Sequence, residues 1–382
     1  MTNRVVFNEA TFFGWNAREV LSEEIIKRGF KKALLVSDNT LIKAGVTKMV
    51  TDILNENNLS FFIFSDVKPN PTISNVKKGL KIANKNHIDY IIAVGGGSVI
   101  DTAKAIGVIY NNPEFKDVKS LAGCSNTKNK SLPIIALPTT CGSGSEVSSY
   151  YDITDENEPK KLVCVDPNCV PNLSIVDTEL MSSMPASLVA ATGLDALTHA
   201  IECYINKNHN DMSDMYALKA MGMIYANIEK AVNKDKDALE KMAVAQYLAG
   251  MGFSNSGLGI VHSMAHQIGA LYDIHHGVAT ALLLPYVLEY NGEACYERYY
   301  DIGKAFDLDM SGLSKEEVIS KIVDVVRELT VRLNIPQHIG EIAGDPGDVL
   351  LLADKAVNDP CNEGNPREID LKDYCDLFRK AF

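Results

Sequence analysis

Through the first half of the chain, short runs of consecutive apolar residues alternate with stretches in which apolar residues recur every three or four positions. Segments 33–37, 61–64, 90–94 and 134–137 have strand length and end in turn chemistry. Between the second and third, Ile73, Val76, Leu80 and Ala83 share one helical face within 72–84. A strand buried on both faces shows no apolar–polar alternation, so this pattern predicts a parallel sheet covered by helices. After about Pro185 the texture becomes helical, with long segments at 186–205, 212–232, 238–250 and 258–272. Near the C-terminus Ser314 and Glu317 fit a capping box, followed by Val318, Ile322, Val325, Leu329 and Leu333 on one face until Pro336. The expected fold class is α/β plus all-α: a Rossmann-like parallel-sheet domain over 1–184, then an all-helical domain over 185–382.

A chain of 382 residues suits two domains, and its apolar content suffices to bury two cores. The formal charge of −12 makes a broad nucleic-acid face an unfavourable partner, since an acidic surface repels a phosphate backbone. No apolar run reaches the roughly 18 residues needed to span a bilayer; 278–288, the greasiest stretch, holds Thr280 and Pro285. The start lacks a basic segment followed by an apolar one, so no secretion signal is expected. Eight scattered cysteines without a Cys-x-x-Cys pair are expected to be buried, reduced thiols. Together these features predict a cytoplasmic enzyme-sized protein without nucleic-acid or membrane partners.

Two loops carry phosphate-binding chemistry. After the apolar run 90–94 comes Gly95-Gly96-Gly97-Ser98 and then a helical pattern. Glycines admit a ligand close to the backbone, and free N–H groups at the helix start favour an anion. Ile100 breaks a G-x-G-x-x-G, and no Gly-Lys-Ser/Thr follows for a P-loop. Such a turn also serves as a plain strand-to-helix connector. A second loop, Leu137-Pro-Thr-Thr-Cys-Gly-Ser-Gly-Ser-Glu146, again follows a strand and crowds hydroxyls with glycines. Two loops at the ends of parallel strands are what a dinucleotide crevice requires. Asp38, just past the run ending at Ser37, suits ribose hydroxyls and repels a 2′-phosphate, which points to NAD rather than NADP; a helix N-cap is the competing role.

The helical half carries the second constellation. Asp195 and His199 are four residues apart, as are His262 and His266, and His275-His276 follows shortly after. One such histidine reads as a hydrogen-bonded core residue, whereas five with an aspartate read as a metal centre. One carboxylate and three imidazoles make a four-ligand divalent site with room for a substrate oxygen. Imidazole suits both Fe(II) and Zn, and neither the spacing nor the ligand type separates them; Zn binds such donors more tightly, so an iron enzyme can be isolated with zinc. A nucleotide crevice and a Lewis-acid metal together suggest hydride chemistry, with a spare histidine exchanging the alcohol proton.

These motifs resemble a known family. Gly-Gly-Gly-Ser-x-x-Asp, Pro-Thr-Thr-x-Gly-x-x-x-Glu, Ala-Ala-Thr-Gly-x-Asp-Ala-Leu-Thr-His-Ala-Ile-Glu and Gly-x-x-His-x-x-Ala-His, spread across the whole chain, resemble the iron-dependent (group III) alcohol dehydrogenases. The resemblance implies iron ligands at Asp195, His199, His262 and His276, with His266 assisting near the substrate. It implies NAD contacts at Asp38, Asn70, Gly96, Gly97, Ser98, Thr139, Thr140, Ser143 and Lys161, and a homodimer. His275 then reads as a neighbour of the ligands, and Glu202 receives only a structural role.

The expected reaction is reversible NADH-dependent reduction of a small aldehyde, with lactaldehyde and 1,2-propanediol the first pair and 1,3-propanediol, ethanol or butanol the alternatives. Two departures bear on the substrate: Tyr150 stands where close relatives carry Asn, at a position expected to border the substrate, and Val99-Ile100 replaces Pro-Gln. A metal- and NAD-dependent lyase of the dehydroquinate-synthase kind shares the two-domain plan. It needs a basic pocket, whereas Phe253, Leu258, Ile260 and Val261 make this metal region apolar.

Overall fold

The computed structural model describes residues 4–125, 127–158, 160–343 and 346–382. The chain divides into two compact units, Met1–Met184 and Pro185–Phe382.

The first unit carries strands β1 (Ala10–Gly14), β2 (Lys32–Val36), β3 (Ser60–Phe64), β4 (Tyr90–Gly95), β5 (Gly123–Cys124), β6 (Ile134–Pro138), β7 (Tyr150–Asp155), β8 (Lys160–Val165) and β9 (Leu173–Asp177). Its helices are α1 (Leu21–Lys27), α2 (Asn39–Lys43), α3 (Val46–Glu56), α4 (Ile73–Asn86), α5 (Gly97–Asn111) and α6 (Thr178–Met181). Six strands form one wholly parallel sheet in the order β1-β9-β6-β4-β2-β3. From β2 the chain steps to β3 on one side and then to β4 on the other, so the topological switch point lies between β2 and β4. Ligands of open α/β sheets sit at such a point, beyond the carboxyl ends of the strands.

Both sheet faces are buried. Leu34, Val36, Ile91, Ala93, Ile134 and Ala136 join one apolar cluster with residues of α4 and α5, such as Val76, Ala83, Ala103 and Ile106. The intervening Leu35, Ile92, Val94, Ile135 and Leu137 join another with Leu21, Ile25, Val50 and Leu54 of α1 and α3. This explains the continuous apolar runs in sequence, and each fully buried Leu or Ile contributes about 1.5–3 kcal/mol of transfer free energy. A smaller sheet, β5-β8-β7, pairs β7 with β8 antiparallel.

The second unit is helical: α7 (Ala186–Ile205), α8 (Asp211–Val232), α9 (Lys236–Ser256), α10 (Ile260–Tyr272), α11 (His276–Ala305), α12 (Lys315–Arg332), α13 (Gly340–Ala343), α14 (Val349–Val357) and α15 (Leu371–Ala381). The capping box before α12 forms, with Ser314 Oγ accepting from Glu317 N at 3.3 Å and Ser314 N donating to Glu317 Oε2 at 2.7 Å. Helix α9 runs six residues beyond the expected end, and Gly252 within it is a close-packing residue: a Cβ there would stand 2.8 Å from Cys203 Sγ. Among the described residues no helix is long and apolar enough to cross a membrane. All eight cysteines are free, but two depart from the expected burial: Cys124, in the two-residue edge strand β5, is exposed, and Cys295, at a break in the helical backbone of α11, is half-buried.

Candidate metal and nucleotide sites

In the second unit, ligand atoms of Asp195, His199, His262 and His276 lie within 4.8 Å of one another. Asp195 and His199 are one turn apart on α7, His262 is in the first turn of α10, and His276 opens α11. Gly277 makes the meeting of α11 and α7 possible, since a Cβ there would stand 2.6 Å from the Ala191 carbonyl and 3.4 Å from Asp195 Cβ. Asp195 Oδ1 is 3.7 Å from His276 Nε2 and 4.0 Å from His199 Nε2. Two donors bound at about 2.1 Å in a tetrahedron stand about 3.4 Å apart, so a few tenths of an ångström of contraction brings these onto one ion.

The rings are held from behind. His262 Nδ1 donates to Glu202 Oε2 at 2.6 Å, and Glu202 also accepts from Gly259 N at 2.9 Å and Val261 N at 2.6 Å. One buried carboxylate thus satisfies the N-terminus of α10 and fixes the tautomer of a histidine on it. Gly259 permits this, because a Cβ there would stand 2.8 Å from Glu202 Oε1. With Nδ1 engaged, His262 Nε2 is buried and without a hydrogen-bond partner. An orphaned imidazole nitrogen in a group of two further histidines and a carboxylate is what a divalent metal site presents, so the donor set fits the ion. Asp195 Oδ1 accepts from Thr280 Oγ1 at 2.9 Å, and the His199 ring stacks on Phe253 with centroids 4.5 Å apart.

His266 sits beside this group and outside it, its ring 5.6 Å from that of His276 and 6.0 Å from that of His262. Its Nδ1 donates to Asp359 Oδ2 at 2.9 Å, and Gln267 Nε2 reaches the same oxygen at 3.3 Å. Asp359 Oδ1 accepts from Cys361 N at 3.0 Å, which puts the buried Cys361 next to His266. His275 is exposed and outside the group. Asp359 and Thr280 were not indicated by the sequence motifs, and Glu202 was expected to be structural only. Glu202 ends the Asp195 motif, and its position a helical turn beyond His199 was the one available signal.

In the first unit, the switch point gathers most of the predicted nucleotide residues. Helix α5 begins without a side-chain cap, its N-cap Gly96 extended at φ −75°, so its first N–H groups offer an anion site. The two loops touch: Thr139 N donates to Gly95 O at 3.1 Å, a Cβ on Gly96 would stand 3.0 Å from Thr140 Cγ2, and one on Gly97 would stand 2.9 Å from Ser143 Cβ. Ser98 Oγ donates to the Pro69 carbonyl, which seats the loop bearing Asn70 against the glycine turn. Thr154 N donates to Pro71 O at 2.7 Å, and Lys161 is its register partner across β7–β8. Asp38 follows β2 at the other lip and caps α2, Oδ1 accepting from Leu41 N at 2.9 Å, so the capping role weighed from sequence is real and leaves Oδ2 for other partners. Val99 and Ile100, the departures in the turn, are core residues. Tyr150 opens β7, partly exposed.

The chain's sequence matches the iron-containing alcohol dehydrogenase family over residues 8–178 and the C-terminal region of Fe-containing alcohol dehydrogenases over 189–382. The chain belongs to the iron-containing alcohol dehydrogenases and is an oxidoreductase of that family. It is 46% identical over 382 residues to lactaldehyde reductase of Escherichia coli K12, covering all of both chains. The fold superposes on 1,3-propanediol oxidoreductase with a TM-score of 0.96 at 38% identity, covering 100% of each chain. It superposes on sulfoacetaldehyde reductase from Bifidobacterium kashiwanohense, solved with NAD+, with a TM-score of 0.87 at 26% identity, covering 100% of this chain and 99% of that one.

Proposed function

We propose that this chain is an NAD- and metal-dependent dehydrogenase that interconverts lactaldehyde and 1,2-propanediol, with Fe(II) at Asp195, His199, His262 and His276. Zinc is the ion expected to replace iron on isolation. The observation that carries the reading is the convergence of those four ligands with His262 Nε2 left orphaned. A metal held there supplies Lewis acidity to a carbonyl, and NADH supplies the hydride.

The chain's own residues do the rest. Glu202 holds the proton on His262 Nδ1 and so keeps Nε2 a donor to the ion. Asp359 does the same for His266, whose Nε2 is then the atom that exchanges a proton with the alcohol. The Gly96–Ser98 turn and Thr139, Thr140 and Ser143 bind the pyrophosphate through N–H and hydroxyl groups, with Asn70 and Lys161 at the flank. Asp38 Oδ2 takes the ribose hydroxyls. A homodimer in the cytoplasm completes the reading, by likeness to the family and from the cysteine usage.

The 46% identity to lactaldehyde reductase favours the 1,2-diol. Tyr150 favours the rival substrate 1,3-propanediol, because a phenol at the substrate border leaves less room for a hydroxyl on the neighbouring carbon. The test is an anaerobic NADH-oxidation panel after Fe(II) loading, over lactaldehyde, 3-hydroxypropionaldehyde, acetaldehyde and butyraldehyde, with Tyr150→Asn alongside. The highest kcat/KM is expected for lactaldehyde. A preference for 3-hydroxypropionaldehyde that Tyr150→Asn reverses establishes the rival, and no NADH oxidation with any aldehyde overturns both.

A further inference from the structure

Helix α5 does more than offer its N-terminus. One turn in from Gly97, Asp101 and Lys104 face the segment between β6 and β7, which has no regular structure of its own from Thr139 to Ser149. Lys104 has no exposed surface, and its Nζ reaches Ser148 O at 2.8 Å, Tyr150 O at 2.7 Å and Ser148 Oγ at 3.3 Å. Three acceptors match the three protons of an ammonium. Asp101 Oδ1 accepts from Ser145 Oγ at 2.5 Å, and Oδ2 accepts from Asp152 N at 3.1 Å. Positions 145, 148, 150 and 152 are therefore all tied to one helix. Burial pulls the Lys104 ammonium down from its ordinary value, while Cys169, Asp101, Glu146 and Asp152 oppose that pull; burial pushes Asp101 up to about 6. Each charge is thus hydrogen-bonded to the segment rather than to the other, an arrangement that fixes the geometry of that segment.

The tied segment joins two functional ends. Ser143, whose Cβ lies against Gly97, and Ser145, which donates a backbone N–H to Ser143 Oγ at 3.2 Å, lie at the nucleotide end. Tyr150 lies at the substrate end, its carbonyl on Lys104. We propose that Lys104, with Asp101, is a positioning residue that holds Ser143 against the pyrophosphate turn and Tyr150 at the substrate border at the same time. Lys104 touches neither ligand and acts through the backbone it fixes. Removing its ammonium takes a 2.8 Å donor from the Ser148 carbonyl and a 2.7 Å donor from the Tyr150 carbonyl, and the segment relieves the loss by moving, so both ends shift together. This rests on the nucleotide and substrate reading given above.

The test compares Lys104→Met, which keeps the length and removes the charge, with Asp101→Asn, which keeps an acceptor for Asp152 N and puts an amide donor toward Ser145 Oγ. NADH affinity is read by nicotinamide fluorescence, and selectivity as the ratio of kcat/KM for lactaldehyde and acetaldehyde. Lys104→Met is expected to weaken NADH about 10-fold or more and to move the selectivity ratio at least 3-fold, with metal content unchanged. Asp101→Asn is expected to change each less than half as far on a logarithmic scale. If Lys104→Met melts cooperatively, binds metal and leaves both NADH affinity and the ratio at the parent's values, the positioning role is overturned. Should Lys104→Met not fold, Ser145→Ala, which removes the Asp101 hydroxyl contact, is expected to weaken NADH 2- to 5-fold, and an unchanged NADH affinity there overturns the role. A parent chain that binds no NADH overturns the nucleotide reading itself, which separates the two failures.

Discussion

At the switch point of the first unit, the groups offered to a ligand are backbone N–H groups and short hydroxyls, and the residues that make room for them are glycines. In the second unit the offered groups are four side chains, three of them at least 95% buried, and a further set of buried side chains orients them. The contrast follows from the ligands each site suits. A diphosphate is large and diffuse, so an array of amides at a helix start satisfies it, and the danger is a Cβ in the way. A divalent ion is small and demands donors within a few tenths of an ångström, so each donor needs its own support. One site is therefore broken by adding an atom, the other by removing one.

The largest expected effect tests that division. His262→Ala removes the orphaned Nε2 and is expected to lower turnover more than about 1,000-fold with loss of bound metal, while NADH affinity stays within 2-fold of the parent; metal analysis and fluorescence titration check it. Equal loss of both would merge the two sites into one. Next, Glu202→Gln keeps the size but presents an amide to a histidine and two backbone donors, and is expected to weaken metal binding about 10- to 100-fold, read by competition with a chelator. An unchanged metal affinity would return Glu202 to a purely structural role. In the opposite unit, Gly97→Ala brings a Cβ to 2.9 Å from Ser143 Cβ and is expected to weaken NADH about 10-fold at full metal content. The smallest effect is on cofactor choice. Asp38→Gly is expected to relax a strong NADH-over-NADPH preference at a stability loss of only a few tenths of a kcal/mol, because glycine is itself tolerated at an N-cap. Equal use of NADPH by the parent would remove that role from Asp38.

The same contrast sets how much was legible in the sequence. Strands β2, β4 and β6 announced themselves because burial on both faces left almost nothing but apolar residues, and the edge strand β3 because Phe61-Phe62-Ile63-Phe64 is an unbroken apolar run. Strand β1 did not, since it lies at the sheet edge with Phe13 exposed, and β7 hid because Tyr151, Ile153 and Asp155 are its buried positions with Asp152 and Thr154 between them. The glycine loops and the i, i+4 pairs were readable because the local chain alone brings those groups together. Which histidines share one centre was not set by spacing, because His276 reaches Asp195 through the α7–α11 packing at Gly277. Asp359 lies 93 positions from His266, and no local pattern links them.

The most direct test of the central claim is anaerobic Fe(II) titration of the metal-stripped chain, followed by iron-edge absorption spectroscopy on the product. One iron per chain is expected, with three nitrogen donors of imidazole type and one carboxylate, and the occupancy should fall to near zero in both His262→Ala and Asp195→Ala. Stoichiometric iron retained in those variants, or a parent chain that takes up no divalent metal, would contradict the account.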